Sequence, residues 1–194
     1  MFVKADLVTY SGPAYSTFGQ KFYFDYTHEY FKRCLFDAEP FTVAPASAWT
    51  DDTWYLNQED RHPVLNNGYW VLSEGEAEGT IIGANLCTFN LLQGTEYFPV
   101  VRDAILFLED DEETDYRHLD RDFESVAQAV SAENIRGIVF GSFQNKSALT
   151  RQLMEQLIRI RPKLKSIPVI ANTDFGHTSP MITFPIGGKV RITA

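Results

Sequence analysis

The sequence is short of anything that would staple a fold together or carry it into a membrane. Its 194 residues include two cysteines, Cys34 and Cys87, and neither has ligand spacing to any of the four histidines. Neither a disulfide framework nor a zinc pattern follows, so both thiols are read as small buried apolar residues in a reducing compartment. No apolar run approaches the roughly 18 residues of a membrane span, and Lys4 and Asp6 interrupt the start, which predicts no signal peptide and a cytoplasmic location. Basic clusters are equally scarce, none longer than Lys32-Arg33. With a formal charge of −9, that scarcity argues against a nucleic-acid groove or an anionic membrane as partner. An acidic surface of this kind is mostly a matter of solubility.

What is present is the composition of a folded protein, 44% hydrophobic and 14% aromatic. The length suits one domain over residues 1–194 and is enough for a sizeable core. Ala104 to Leu108 is a short apolar run that stops at Glu109 and Asp110. A helical period follows at Leu119, Phe123, Val126, Ala127 and Val130, then a strand at Gly137 to Gly141. A second helical period at Leu149, Leu153, Leu157 and Ile160 leads to a last strand at Ile167 to Ala171. This is a β-α-β-α-β pattern, and strands joined by helical crossovers run parallel. The predicted fold class is therefore α/β, a mixed α/β sandwich with a parallel core and flanking hairpins.

Parallel strands bring their carboxyl ends to one edge, where open α/β sheets usually place ligands and catalytic groups. Glu109, Ser142 and His177 all fall there. By itself a lone loop histidine is more often a packing or surface residue. Beside a carboxylate it can be the base of a hydrolytic triad, with the acid fixing its tautomer and stabilising the imidazolium. The acidic run from Glu109 to Asp115 invites a calcium reading. It lacks the glycine and the terminal glutamate of an EF-hand loop, so a solvated loop leading into the next helix is the simpler account.

The remaining segments give coarser expectations. Asp6 to Tyr10 reads as a strand entering the domain, and Tyr26 to Phe36 as a one-sided helix with Tyr30, Phe31, Cys34 and Leu35 inward. Pro40 to Asn67 reads as a long loop with a short strand at Phe41 to Val43, and long structureless loops are commonly functional. It carries Trp49 and Trp54, which either anchor the loop to the core or stack on a planar ligand, a contact worth about 1–3 kcal/mol per base. Tyr69 to Leu72 and Thr80 to Gly83 read as a hairpin about the acidic turn Glu74 to Glu78. Asn85 then caps a helical run through Leu91. Met181 to Ala194 reads as two strands about a Gly187-Gly188 turn.

Several stretches resemble a known family. Asp174-Phe175-Gly176-His177-Thr178-Ser179-Pro180-Met181, followed by Phe184-Pro185-Ile186-Gly187, is similar to the histidine motif of the LD-carboxypeptidase family of serine peptidases. That family includes muropeptide LD-carboxypeptidases and microcin C immunity hydrolases. Leu7 to Pro13, Glu74 to Gly79, Gly83-Ala84-Asn85-Leu86 and Leu106 to Asp110 match as well. The resemblance covers nearly the whole chain and is closest to the immunity branch, whose paired tryptophans resemble Trp49 and Trp54.

The resemblance implies a serine, glutamate, histidine triad with no metal and no cofactor. Glu109 would be the acid and His177 the base, 68 residues apart. Trp49, Trp54 and Asn85 would contact substrate. The family's nucleophile lies in an N-terminal domain, in a glycine-x-serine-aspartate elbow, and none of the serines here has that context: Ser142 follows Gly141, but Phe143 and Gln144 come next. The chain thus resembles the swivelling C-terminal half of a two-domain enzyme, often a homodimer, and would be inactive alone. The parent would cleave LD-peptide bonds in peptidoglycan recycling, or the acyl-nucleotide phosphoramidate bond of microcin C-like compounds in self-immunity. The competing expectation is an inert domain that binds a small peptide, a peptidyl-nucleotide or the missing half. A different nucleophile, Ser142 or Ser179, is a third.

Overall fold

The computed structural model describes residues 2–100 and 102–194. In chain order the elements are α1 (Phe2–Ala5), β1 (Thr9–Ser11), α2 (Asp25–Phe36), β2 (Ala48–Trp49), β3 (Val64–Leu65), β4 (Trp70–Ser73), β5 (Glu76–Asn85) and α3 (Leu86–Asn90). There follow β6 (Ala104–Glu109), α4 (Tyr116–Val130), β7 (Ile135–Ser142), α5 (Arg151–Arg159), β8 (Val169–Gly176), β9 (Phe184–Ile186) and β10 (Lys189–Thr193).

The centre is a six-stranded, mostly parallel sheet in the order β10-β5-β6-β7-β8-β4. Strands β5 to β8 are parallel, and β10 and β4 run antiparallel along its two edges. Alternation along β6 explains why its sequence is apolar throughout. Ala104, Leu106 and Leu108 meet the helices on one face, while Ile105 and Phe107 enter a second core on the other. A strand covered on both faces has no polar side to show.

The helices start and stop where local chemistry directs. Asp115 caps α4, its carboxylate accepting from the amides of Arg117 at 2.9 Å and His118 at 3.0 Å, and Leu119, Phe123, Val126, Ala127 and Val130 form its buried stripe. Thr150 caps α5 through the amide of Leu153, and Pro162 follows its end, where it cannot continue the helix. Helix α2 covers the second core with Tyr30.

The parallel β-α-β-α-β core is as expected, but the flanking hairpins are not. Strands β4 and β5 are separated by two residues and do not pair; β4 joins β8 at one edge, and β5 lies between β10 and β6. Gly75 in that link exchanges backbone hydrogen bonds with Ala194 instead. The sheet is curled, so its two edges approach at the amino ends of the parallel strands. In the tail, β9 pairs with β1 and β10 with β5. Each tail strand finds an open edge elsewhere, which satisfies its backbone better than a two-stranded ribbon could. Phe41 to Val43 forms no strand; the short ribbon in that loop is β2 with β3. The thiols also differ from expectation, since Cys34 is half-buried and Cys87 exposed.

Candidate active site

Strand β6 ends in Glu109 and strand β8 ends one residue before His177, so β7 lies between the strands that carry them. The Glu109 side chain crosses the end of β7 to bring Oε2 within 2.7 Å of His177 Nδ1. Two glycines open its path. A Cβ at Gly141 would stand 2.4 Å from the carbonyl oxygen of Phe175 and 3.0 Å from Glu109 Cβ, and one at Gly176 would stand 3.0 Å from Glu109 Cβ and 3.1 Å from its Oε2. Gly176 also has φ +107°, a conformation that side chains rarely adopt.

The carboxylate is largely enclosed, with 14% of its side chain exposed, whereas the imidazole is 45% exposed. The bond from Glu109 raises the His177 pKa above the ordinary histidine value against an opposing effect of burial, and the charges of Asp111 and Asp110 add to the rise. A carboxylate on Nδ1 selects the tautomer with its proton there, leaving the Nε2 lone pair to accept another.

Bulges position this edge. The β7–β8 register shifts twice, between Val139 and Gly141 and again at Ser142, and Asn172 takes φ +58°. Bulges of this kind re-aim a strand end. Asn172 Nδ2 donates to the Gly68 carbonyl at 3.0 Å. Ser142, expected at the same edge, is buried, and its hydroxyl lies 3.1 Å from the Thr173 carbonyl and 3.3 Å from Asn172 Oδ1. It is a packing residue there, not a presented nucleophile.

Asn85 is brought beside the pair, since it lies opposite Glu109 in the β5–β6 register. Its Oδ1 accepts from the Thr88 amide at 2.9 Å, which caps α3, and its Nδ2 donates to Asp110 Oδ1 at 2.9 Å. A cavity of about 210 Å³ opens here, bordered by Asn85, Glu109, Gly176, Phe107, Met181 and Ile186. Its lining combines apolar side chains with the Asn85 amide and the Glu109 carboxylate.

The tryptophans are placed less directly. Both are half-buried and neither borders the cavity. Trp49 lies in β2, and the next residue, Thr50, exchanges two 2.8 Å backbone hydrogen bonds with Ser179, two residues beyond His177. Trp54 lies further out, edge-on to Tyr55, on a loop tied to the end of β7 through Asp51 and Asn145. Among the described residues no group of three or more His, Cys, Asp or Glu side chains is arranged to hold a metal ion.

Asp174 opens the histidine motif, and the sequence alone assigns it no role. It is 1% exposed, and its carboxylate lies 2.9 Å from the hydroxyls of Tyr26 and Tyr69, 3.0 Å from the Ala46 amide and 3.2 Å from Asn66 Nδ2. Burial pushes its pKa up, while the Ala46, Tyr69 and Tyr26 hydrogen bonds oppose the rise. Burial first, and then the charge of Asp174, push both tyrosine hydroxyls up, which keeps them protonated as donors. An aspartate that follows the apolar run Ile167 to Ala171 by three residues is the one local signal, and its four partners lie 105 to 148 residues away.

Comparison with known proteins identifies the family. Residues 78–192 match the LD-carboxypeptidase C-terminal domain. The Bacillus subtilis protein YocD, whose name is that of a carboxypeptidase, is 48% identical over all of the chain and 60% of its own length. The microcin C7 self-immunity protein MccF of Escherichia coli is 29% identical over 99% of the chain and 58% of its own, and its structure in complex with glutamyl sulfamoyl guanosine superposes with a TM-score of 0.81. A MccF-like protein from Bacillus anthracis, 44% identical, superposes with a TM-score of 0.95 over 100% of this chain and 60% of that one. The chain thus spans about 60% of the length of the relatives it matches. Matched by the domain over more than half its length and related to YocD throughout, the chain belongs to the LD-carboxypeptidase family.

Proposed function

We propose that this chain is the acid-base half of a serine carboxypeptidase or amidase that cleaves an acyl-nucleotide of the microcin C type. The observation that carries the reading is the 2.7 Å bond between Glu109 and His177 at the carboxyl ends of β6 and β8. A serine hydroxyl from an N-terminal domain attacks the scissile carbonyl, and His177 Nε2 takes its proton. Glu109 holds the ring and stabilises the imidazolium. The C–N bond then breaks, and Nε2 returns the proton to the leaving nitrogen. Water attacks the acyl-serine with His177 again as base, releasing the acid and restoring the serine.

Three features support the nucleotide side. MccF structures hold glutamyl sulfamoyl guanosine and aspartyl sulfamoyl adenosine, and a tryptophan-to-phenylalanine variant of MccF holds adenosine monophosphate. Trp49 is bonded through its neighbour to the loop that follows His177. We assign Trp49 and Trp54 to base stacking and Asn85 to the rim of the substrate pocket. The second reading, an inert binding domain, draws on the absence of an elbow serine from the sequence.

The test is turnover of an acyl-adenosine phosphoramidate by the full-length parent. Replacing His177 with alanine is expected to lower kcat by about 10³-fold or more. A variant within tenfold of the parent overturns the assignment.

A further inference from the structure

The segment between Ala46 and Asn66 is an Ω-shaped loop. The β2–β3 pair closes its neck, with Ala48 opposite Leu65 and Trp49 opposite Val64, and the Asn66 amide donates to the Ser47 carbonyl. Both tryptophans assigned above to substrate lie inside it. Asp174 receives a hydrogen bond from each side of that neck, from the Ala46 amide where the chain enters and from Asn66 Nδ2 where it leaves. The Tyr26 and Tyr69 hydroxyls join it from α2 and from the residue before β4. Tyr26 also lies 2.8 Å from the Ala44 carbonyl, two residues ahead of the neck, and its one proton serves either acceptor.

Asp174 stands three residues before His177, and Ser179 two residues after it bonds Thr50 across the loop. The loop is therefore attached to the histidine strand on both sides of His177. The Asp51–Asn145 bonds and the bond from the Lys21 amide to Gln58 hold its outer part to other segments.

We propose that Asp174 is the positioning residue that sets the tryptophan loop in register with His177, so that nucleotide recognition and proton transfer share one strand as their reference. The inference rests on the nucleotide reading of Trp49 and Trp54. Asp174 does not border the cavity beside Glu109. A buried carboxylate with four donors from three separate segments has one preferred geometry; removing it takes the acceptor from the Ala46 amide, Asn66 Nδ2 and the Tyr69 hydroxyl, while Tyr26 keeps the Ala44 carbonyl.

The experiment compares the chain with Asp174→Ala and with Tyr26→Phe/Tyr69→Phe, the latter keeping the carboxylate and both neck donors should the first fail to fold. Amide hydrogen exchange is read at Ala46 and Asn66, with Leu106 and Ile138 in the central strands as reference, and the His177 pKa is followed by NMR. Asp174→Ala is expected to raise exchange at the neck by about tenfold or more, with the reference amides and the His177 pKa unchanged. The tyrosine pair is expected to raise it by a smaller factor in the same direction. Neck amides as protected as in the parent overturn the proposal, and so does an equal loss of protection in the central strands. Tryptophan fluorescence during titration with adenosine monophosphate separates the two readings. A parent that responds and an Asp174→Ala variant at least tenfold weaker support the positioning role. A parent that does not respond overturns the nucleotide reading, and neck exchange still decides the anchor.

Discussion

Glu109 and His177, 68 residues apart in sequence, meet at 2.7 Å across the end of the strand that separates theirs. The bond raises the His177 pKa, and the sign of its effect on stability follows. A histidine whose folded pKa exceeds its unfolded value of about 6.5 adds stability that is complete below that value and disappears as pH rises through the folded pKa. Glu109→Gln should therefore destabilise the chain most below about pH 6, with the gap narrowing as pH rises through the raised His177 pKa. Melting temperatures of parent and variant across that range check it, and NMR titration should find the His177 pKa lowered in the variant.

Gly176→Ala should act on the same pair from the backbone. The new Cβ meets Glu109 while φ is held at +107°. We expect a loss of about 1–3 kcal/mol in urea melts, and a fall in the His177 pKa as the carboxylate is displaced. An unchanged histidine titration would mean that Glu109 accommodates the methyl group.

Asn85→Ala should destabilise by about 1–3 kcal/mol, since it removes the α3 cap and strips buried Asp110 of a donor. Urea unfolding measures this directly. A cost of a few tenths would show that the cap is replaced by water.

A fluorophosphonate probe should leave the isolated chain unlabelled. Ser142 is buried among backbone partners, and the Ser179 backbone is tied to Thr50. Mass-spectrometric detection of adduct on either serine would contradict the proposed division of labour between two domains.

The elements that were legible in the sequence are those whose periodicity records burial. Ala104 to Leu108 reads as a strand because both its faces are covered, and the Leu119 to Val130 spacing reads as a helix because one stripe is. From these the meeting of Glu109 and His177 at one edge followed. Pairing partners were less legible. Tyr69 to Gly83 carries the pattern of a hairpin, but nothing local in that pattern reports that β8 and β6 offer edges to its two halves. Asp174 was harder still, because its tyrosine, amide and asparagine partners are fixed by the fold alone. Gly141 and Gly176 look like ordinary strand-end glycines until the path of the Glu109 side chain is known.

The reciprocal hydrogen bonds between Gly75 and Ala194 place the last residue of the chain at the amino end of β5, whereas Asn85 and Glu109 mark the carboxyl end. At about 3.3 Å of rise per residue, the length of β5 sets those two ends roughly 30 Å apart. A sensor surface or a reporter group attached through Ala194 would therefore hold the molecule by the side remote from His177. Ligand or partner capture could then be followed in an orientation that leaves the histidine edge facing solution.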